Sequence, residues 1–219
     1  MITFEQVKNN HDIKVYIQKA DEALIALGYT EHSFAHMTKV SRDARDILLT
    51  LGYPEREAEL AQIAGYLHDI GNVVNRIDHA QSGAVMAFRI LDRMGASAED
   101  IAVIVSAIGN HDESTAFPVN AVAAALILAD KSDVRRSRVR NNDIPSFDIH
   151  DRVNYAVVSS SAAISDDKKA FVLTIDIDTE ISAVMDYFEI FLDRMMLCRR
   201  AAEKLGLHFR LVINGQVVL

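Results

Sequence analysis

The chain has only one cysteine, Cys198, in 219 residues. A lone thiol can neither close an intramolecular disulfide nor build a thiolate cage around a metal, so a reducing cytoplasm is the expected compartment. Cys198 itself is expected to be a small buried apolar filler. Proline and glycine are sparse, at 3 and 9 residues, which argues against a disordered or low-complexity chain. Cations are outnumbered: 23 Lys and Arg against 31 Asp and Glu leave a formal net charge of -8. That balance excludes a general affinity for nucleic-acid polymer or anionic membrane, since both reward clustered cations, and leaves room for a small phosphorylated ligand. No stretch approaches the roughly 18 uninterrupted apolar residues of a membrane helix, and the start from Met1 to Asn10 lacks a signal-peptide core. The chain is expected to be soluble and unprocessed.

What is present is helical periodicity. Half of the residues are hydrophobic, enough for one substantial core. Ile13, Ile17, Ala20, Leu24 and Leu27 form one apolar stripe ending at Gly28, and Val40, Ala44, Ile47, Leu48 and Leu51 form another ending at Gly52; glycine at each end suits a left-handed cap. Pro54 opens a predicted helix over 55–70 that Gly71 closes. Further helices are predicted near 79–94, 97–109 and 120–138. A boundary is expected in the turn-rich stretch from Asn141 to Pro145. Beyond it, Phe171, Leu173, Ile175 and Ile177 alternate with polar or exposed positions, the period of a half-buried strand, with 157–164 as its partner. A long amphipathic helix near 179–205 carries Ile181, Val184, Phe188, Phe191, Leu192 and Met195, and a hairpin around Asn214-Gly215 ends the chain. The predicted fold is mainly α: a helical part over 1–140 and a small α+β tail over 145–219, with antiparallel or mixed strands and one long helix. That helix's apolar stripe is compatible with a homodimer.

Four His-Asp dipeptides stand in the chain, at His11, His68, His111 and His150. An ionisable group on the apolar side of a helix needs a partner or a metal, and this separates them. His68 follows Leu60, Ala61, Ala64 and Leu67 on one stripe, and His111 continues Ile101, Ile104 and Ile108. His11-Asp12 and His150-Asp151 lie in polar surroundings and read as solvated. Three more polar residues interrupt apolar stripes: His36 before Val40 and Ala44, His79 before Gly83 and Met86, and Asp130 among Leu126, Ile127 and Val134. Each alone suits a hydrogen-bonded core residue. Five helices directing imidazoles and carboxylates toward one interior are explained together by a metal centre. Nitrogen and oxygen donors without thiolate suit Mn, Fe, Co, Ni or Zn, and Asp69 has two oxygens with which to bridge two ions.

His36 in FAHMTKVSRDA, His68-Asp69 in YLHDIGN and Asp130 in LILADKSDV resemble, in that order, the HD superfamily of metal-dependent phosphohydrolases over about 31–138. The resemblance implies an HD-type helical bundle in which His36, His68, Asp69 and Asp130 hold one divalent ion. It implies also that His79 and His111 hold a second, with Asp69 bridging and required for catalysis. Asp112 stands where some members have another His, so it is a candidate ligand, outer partner or proton donor. Lys131 and Arg135, with Arg138, would form a cationic stripe beside Asp130 for a substrate phosphate; the alternative is a solvated basic face paired with Asp133 or with another subunit. His32 is expected to be exposed, with gating of the site as the alternative. Members that cleave cyclic di-GMP usually carry Lys after His-Asp-Ile-Gly and a later Gly-Tyr-Pro. Here Asn72 stands at the first position and no such tripeptide follows. Guanosine tetraphosphate hydrolases carry a Glu-Asp pair soon after the His-Asp pair, and none follows Asp69. The activity implied is hydrolysis of a small phosphate ester or nucleotide by metal-activated water. The alternative is a non-catalytic module that binds metal and nucleotide as a sensor.

Overall fold

The computed structural model describes residues 1–141 and 146–219. Among these, the helical part comprises α1 (Phe4–Asn9), α2 (His11–Ala26), α3 (Phe34–Leu51), α4 (Glu55–Leu67), α5 (His79–Arg93), α6 (Ala98–Gly109) and α7 (Ala121–Lys131). The tail adds α8 (Ile149–Ala156), β1 (Val157–Ile164), β2 (Ala170–Ile177), α9 (Val184–Lys204), β3 (His208–Ile213) and β4 (Gln216–Val217). The architecture is mainly α with a small C-terminal α+β part. No helix among the described residues is long and apolar enough to cross a membrane.

Side-chain caps start most of these helices, satisfying amide groups that have no partner within the helix. Asn10, Ser33, Ser97 and Asn120 accept from the backbone at the heads of α2, α3, α6 and α7. Gly52 ends α3 in the left-handed conformation, φ 85°. α3 packs along α4, α7 lies against both, and α5 pairs with α6. The helix most deeply enclosed is α7, whose residues from Val122 to Lys131 are all buried. Its apolar surface on every side leaves it no stable place but the centre of the bundle.

The sheet has order β1-β2-β3-β4, with β1 antiparallel to β2, β2 parallel to β3 and β3 antiparallel to β4. Parallel pairing of β2 and β3 requires a crossover, and α9 supplies it, packing on α7 of the helical part. Cys198 is buried on α9, and burial pushes its thiol up to about 12.

Several expectations need correction. α4 stops at Leu67, and Ile70–Val73 forms a 3-10 turn; Gly71 lies inside this turn and is not a left-handed cap. α7 stops at Lys131 because the next amides leave the helical ladder, that of Asp133 bonding to the Asp130 carbonyl and that of Val134 to the Ser132 carbonyl. Arg135 is already extended, φ -148° and ψ 140°. Lys131, Arg135 and Arg138 therefore share no helical stripe. α9 begins at Val184 rather than near 179, because the Asp178 carbonyl and carboxylate bind the amides of Ile181, Ser182 and Glu180 in a turn. Ile181 thus precedes the helix, and Leu192 is half exposed. The expected boundary at 142–145 lies outside the described residues.

Candidate metal centre

His36, His68, Asp69, His79, His111 and Asp130 come from α3, the end of α4, the start of α5, the loop after α6, and α7, and all are buried. The unwinding after Leu67 makes this convergence local as well as global. His68 still has helical dihedrals and Asp69 does not, φ -100° and ψ 3°, so adjacent residues turn toward the same point. His68 Nε2 and Asp69 Oδ2 are 3.3 Å apart.

Each imidazole is held by its other nitrogen. His68 Nδ1 lies 2.9 Å from the Gly65 carbonyl, His79 Nδ1 3.0 Å from the Arg76 carbonyl, and His111 Nδ1 2.6 Å from the Ile108 carbonyl. A carbonyl oxygen can only accept, so Nδ1 donates in all three, and in the neutral ring Nε2 presents a lone pair. His36 reaches the same state through Asp133, with Nδ1 2.7 Å from Oδ2. Burial alone would raise Asp133, but hydrogen bonds from His36 and Arg135 and the charge of Arg138 hold its carboxyl well below the usual range.

The Nε2 atoms and the carboxylates meet in two sets. His36 Nε2 is 3.3 Å and His68 Nε2 3.6 Å from Asp130 Oδ1, and both face Asp69 Oδ2. On the other side of the same carboxylate, Asp69 Oδ1 lies 3.3 Å from His79 Nε2 and 3.8 Å from His111 Nε2. The Nε2 atoms of His36 and His68 are buried without a hydrogen-bond partner. Those of His79 and His111 face each other at 3.2 Å. Converging lone pairs and carboxylate oxygens in a buried space require a proton or a cation between them. In the protein alone the proton falls on His68: burial opposes it, but Asp69 and Asp130 raise His68 to about 10. The same donors, drawn together within 4.8 Å in groups such as His36, His68 and Asp130, fit a divalent ion.

Further residues complete the surroundings. His32 is buried, not exposed, and its Nδ1 is 2.6 Å from Asp69 Oδ2. Burial lowers His32 to about 3 despite Asp69, and Arg138 Nη2 approaches its Nε2 at 3.4 Å. His32 is therefore a neutral donor that orients Asp69. Asn72, which no sequence signal marked as a partner of Asp69, donates to the Asp69 carbonyl at 2.9 Å and accepts from Arg76 at 3.3 Å. Lys131 is buried with its Nζ 2.8 Å from both Asp130 and Glu113, and Glu113, equally unmarked, continues to Arg194 of α9 at 2.9 Å.

The centre opens into a cavity of about 600 Å³ whose walls include His32, Asp69, Asp112, Lys131, His150 and Arg194. Arg135 is not among the lining residues; it pairs with Asp133 and Glu31. His11 lies apart from the centre on α2, whereas exposed His150 reaches the cavity from α8.

Residues 33–143 match the family model described as the HD domain. Among solved structures, a predicted HD superfamily hydrolase from an uncultured Thermotogales bacterium is 25% identical, over 57% of this chain and 67% of that one, with a TM-score of 0.45. No curated protein matches. The matched span is half of the chain and contains all six residues that converge on the Asp69 carboxylate, and the protein belongs to the HD domain family.

Proposed function

We propose that the protein is a metal-dependent phosphohydrolase acting on a small phosphate ester or nucleotide. His36, His68, Asp69 and Asp130 would hold one divalent transition ion, and Asp69, His79 and His111 a second. The observation that carries this reading is the division of one carboxylate: Oδ2 faces His36 and His68 while Oδ1 faces His79 and His111. Divalent ions bound there supply an activated water and neutralise phosphoryl charge. The protein's own contribution is to fix the donors. Nδ1 anchors keep every Nε2 aimed inward, and His32 and Asn72 hold Asp69 in place. Asp112 lines the cavity next to His111, with one oxygen engaged by the Ser114 hydroxyl; in this reading it would pass a proton to the leaving oxygen. The cavity is of the size that small ligands occupy.

The test couples metal content to turnover. Protein purified without chelator is assayed for metal, then screened for phosphate release from nucleotides, cyclic nucleotides and sugar phosphates with Mn, Co, Ni and Fe. We expect bound metal and a rate lost by about two orders of magnitude or more in Asp69→Ala. Metal below about a tenth of an equivalent, even after reconstitution, removes the reading. Bound metal with wild type and Asp69→Ala at the same background rate favours a sensor instead.

A further inference from the structure

Among the described residues, four cations line the cavity: Arg76, Lys131, Arg138 and Arg194. Two are already engaged. Lys131 sits between the carboxylates of Asp130 and Glu113. Arg138 gives Nε and Nη2 to the Glu31 carbonyl and Nη1 to the Asp133 carbonyl. Arg194 differs, because only its Nε is committed, to Glu113 Oε1 at 2.9 Å. Arg76 directs Nη1 toward Asn72 Oδ1 at 3.3 Å, His79 Nε2 at 3.4 Å and Asp69 Oδ1 at 4.0 Å, and keeps the other edge of its guanidinium.

Both guanidinium groups, each engaged at one nitrogen only, lie against aromatic rings that line the same cavity. Arg194 lies 4.4 Å from the Phe191 ring centroid, and Arg76 lies 5.7 Å from that of Tyr29. A guanidinium that lies against a ring and is anchored at one nitrogen is restricted in its motion, and its remaining N–H groups match the oxygens of a phosphate. The expected cations, by contrast, are either neutralised in place, as is Lys131, or turned away from the cavity, as is Arg135.

We propose that Arg76 and Arg194 are the phosphate-binding residues of this cavity, so that the substrate's phosphate group is held between a guanidinium of the helical part and one supplied by α9. This deepens, and rests on, the reading of the cavity as a phosphohydrolase site. It makes the tail part of the binding site: Arg194 lies beyond the span 33–143 that matches the family.

The experiment titrates inorganic phosphate calorimetrically into the full chain, metal-loaded and metal-free, and records metal stoichiometry for each protein. Arg194→Gln and Arg76→Gln are each expected to weaken phosphate about tenfold or more. Arg194→Lys keeps a charge beside Glu113 but loses the fork. It is expected to weaken phosphate by about threefold or more with metal stoichiometry unchanged, while Arg135→Gln binds like wild type. Wild-type affinity in both Arg194 variants overturns the proposal, as does a wild type that takes up no phosphate in either state. Should the wild type hold no metal and yet lose phosphate affinity in the Arg194 variants, the guanidinium assignment stands and the metal-centre reading falls. Metal held normally, with phosphate indifferent to both Arg194 substitutions, removes the guanidinium assignment and leaves the metal centre standing.

Discussion

Asp133 shows how far the work of this centre extends beyond the residues that face it. Its carboxylate accepts from His36 Nδ1 and is itself held by Arg135. It thereby sets which nitrogen of His36 carries the proton. Asp133→Ala leaves the set of inward donors intact but removes this anchor together with the ion pair to Arg135. Metal affinity is expected to fall roughly 10- to 100-fold, measured by competition with a chromophoric chelator; unchanged affinity would mean that packing alone orients His36. Five of the six inward residues were legible because each interrupts an apolar stripe, and Asp69 because it follows His68 in the motif that resembles the family. Asp133, His32 and Glu113 were not, because their significance lies in partners far along the chain. His36 and Asp133 are 97 residues apart and His32 and Asp69 are 37 apart, and no local period reports such a pairing. Asp133 did leave a faint mark, as a second acid three residues after Asp130.

Between elements, the decisive contact is the approach of the Ile70–Val73 turn to the head of α5. A Cβ at Gly71 would clash with the His79 carbonyl oxygen, the Gly83 amide nitrogen and the Ser82 hydroxyl. Glycine is needed here for closeness, not for a left-handed backbone. Gly71→Ala is expected to push α5 and His79 outward, costing about 1–3 kcal/mol of stability and depleting the second ion before the first. Urea unfolding together with metal stoichiometry checks this, and full retention of both ions would show that the turn yields without moving His79. Sequence reasoning carried the preceding helix to position 70, past its end at Leu67, and read Gly71 as a cap, the wrong cause for this glycine. Chain punctuation is visible in composition, whereas a tertiary contact at a glycine leaves no trace in its neighbours. The same limit applies to α7, where the hydrophobic pattern ran on through Val134 and gave no warning that the amides of Asp133 and Val134 would turn to nearer carbonyls and end the helix.

Across the whole molecule, the buried charges define a pH window. Burial would raise Glu113, Asp130 and Asp133, but their cationic or hydrogen-bonding neighbours hold all three below the ordinary carboxylate range. A depressed carboxyl contributes stability fully above its unfolded value, about 4, and loses it as pH falls toward the folded value. His68, raised to about 10, contributes fully below its unfolded value of about 6.5, and that contribution drains away as pH climbs through about 10. His32, lowered to about 3, and His111, also lowered by burial, stay neutral in the folded protein, so their contribution is full above about 6.5 and is lost as pH falls below it. The metal-free protein is therefore expected to be most stable near about pH 6.5. Added metal displaces the His68 proton, so its stabilisation should be larger at pH 7.5 than at pH 5, reaching about 2.7 kcal/mol at a hundredfold excess over Kd. Thermal melts with metal or chelator at both values measure this; curves indifferent to chelator at pH 7.5 contradict it.

α9 bridges two parallel strands and at the same time walls the cavity. The donors that meet at the Asp69 carboxylate and the wall that α9 raises beside them thus stand on separate stretches of one polypeptide. A substitution on α9 can therefore reshape the chamber without touching a single histidine or aspartate of the centre.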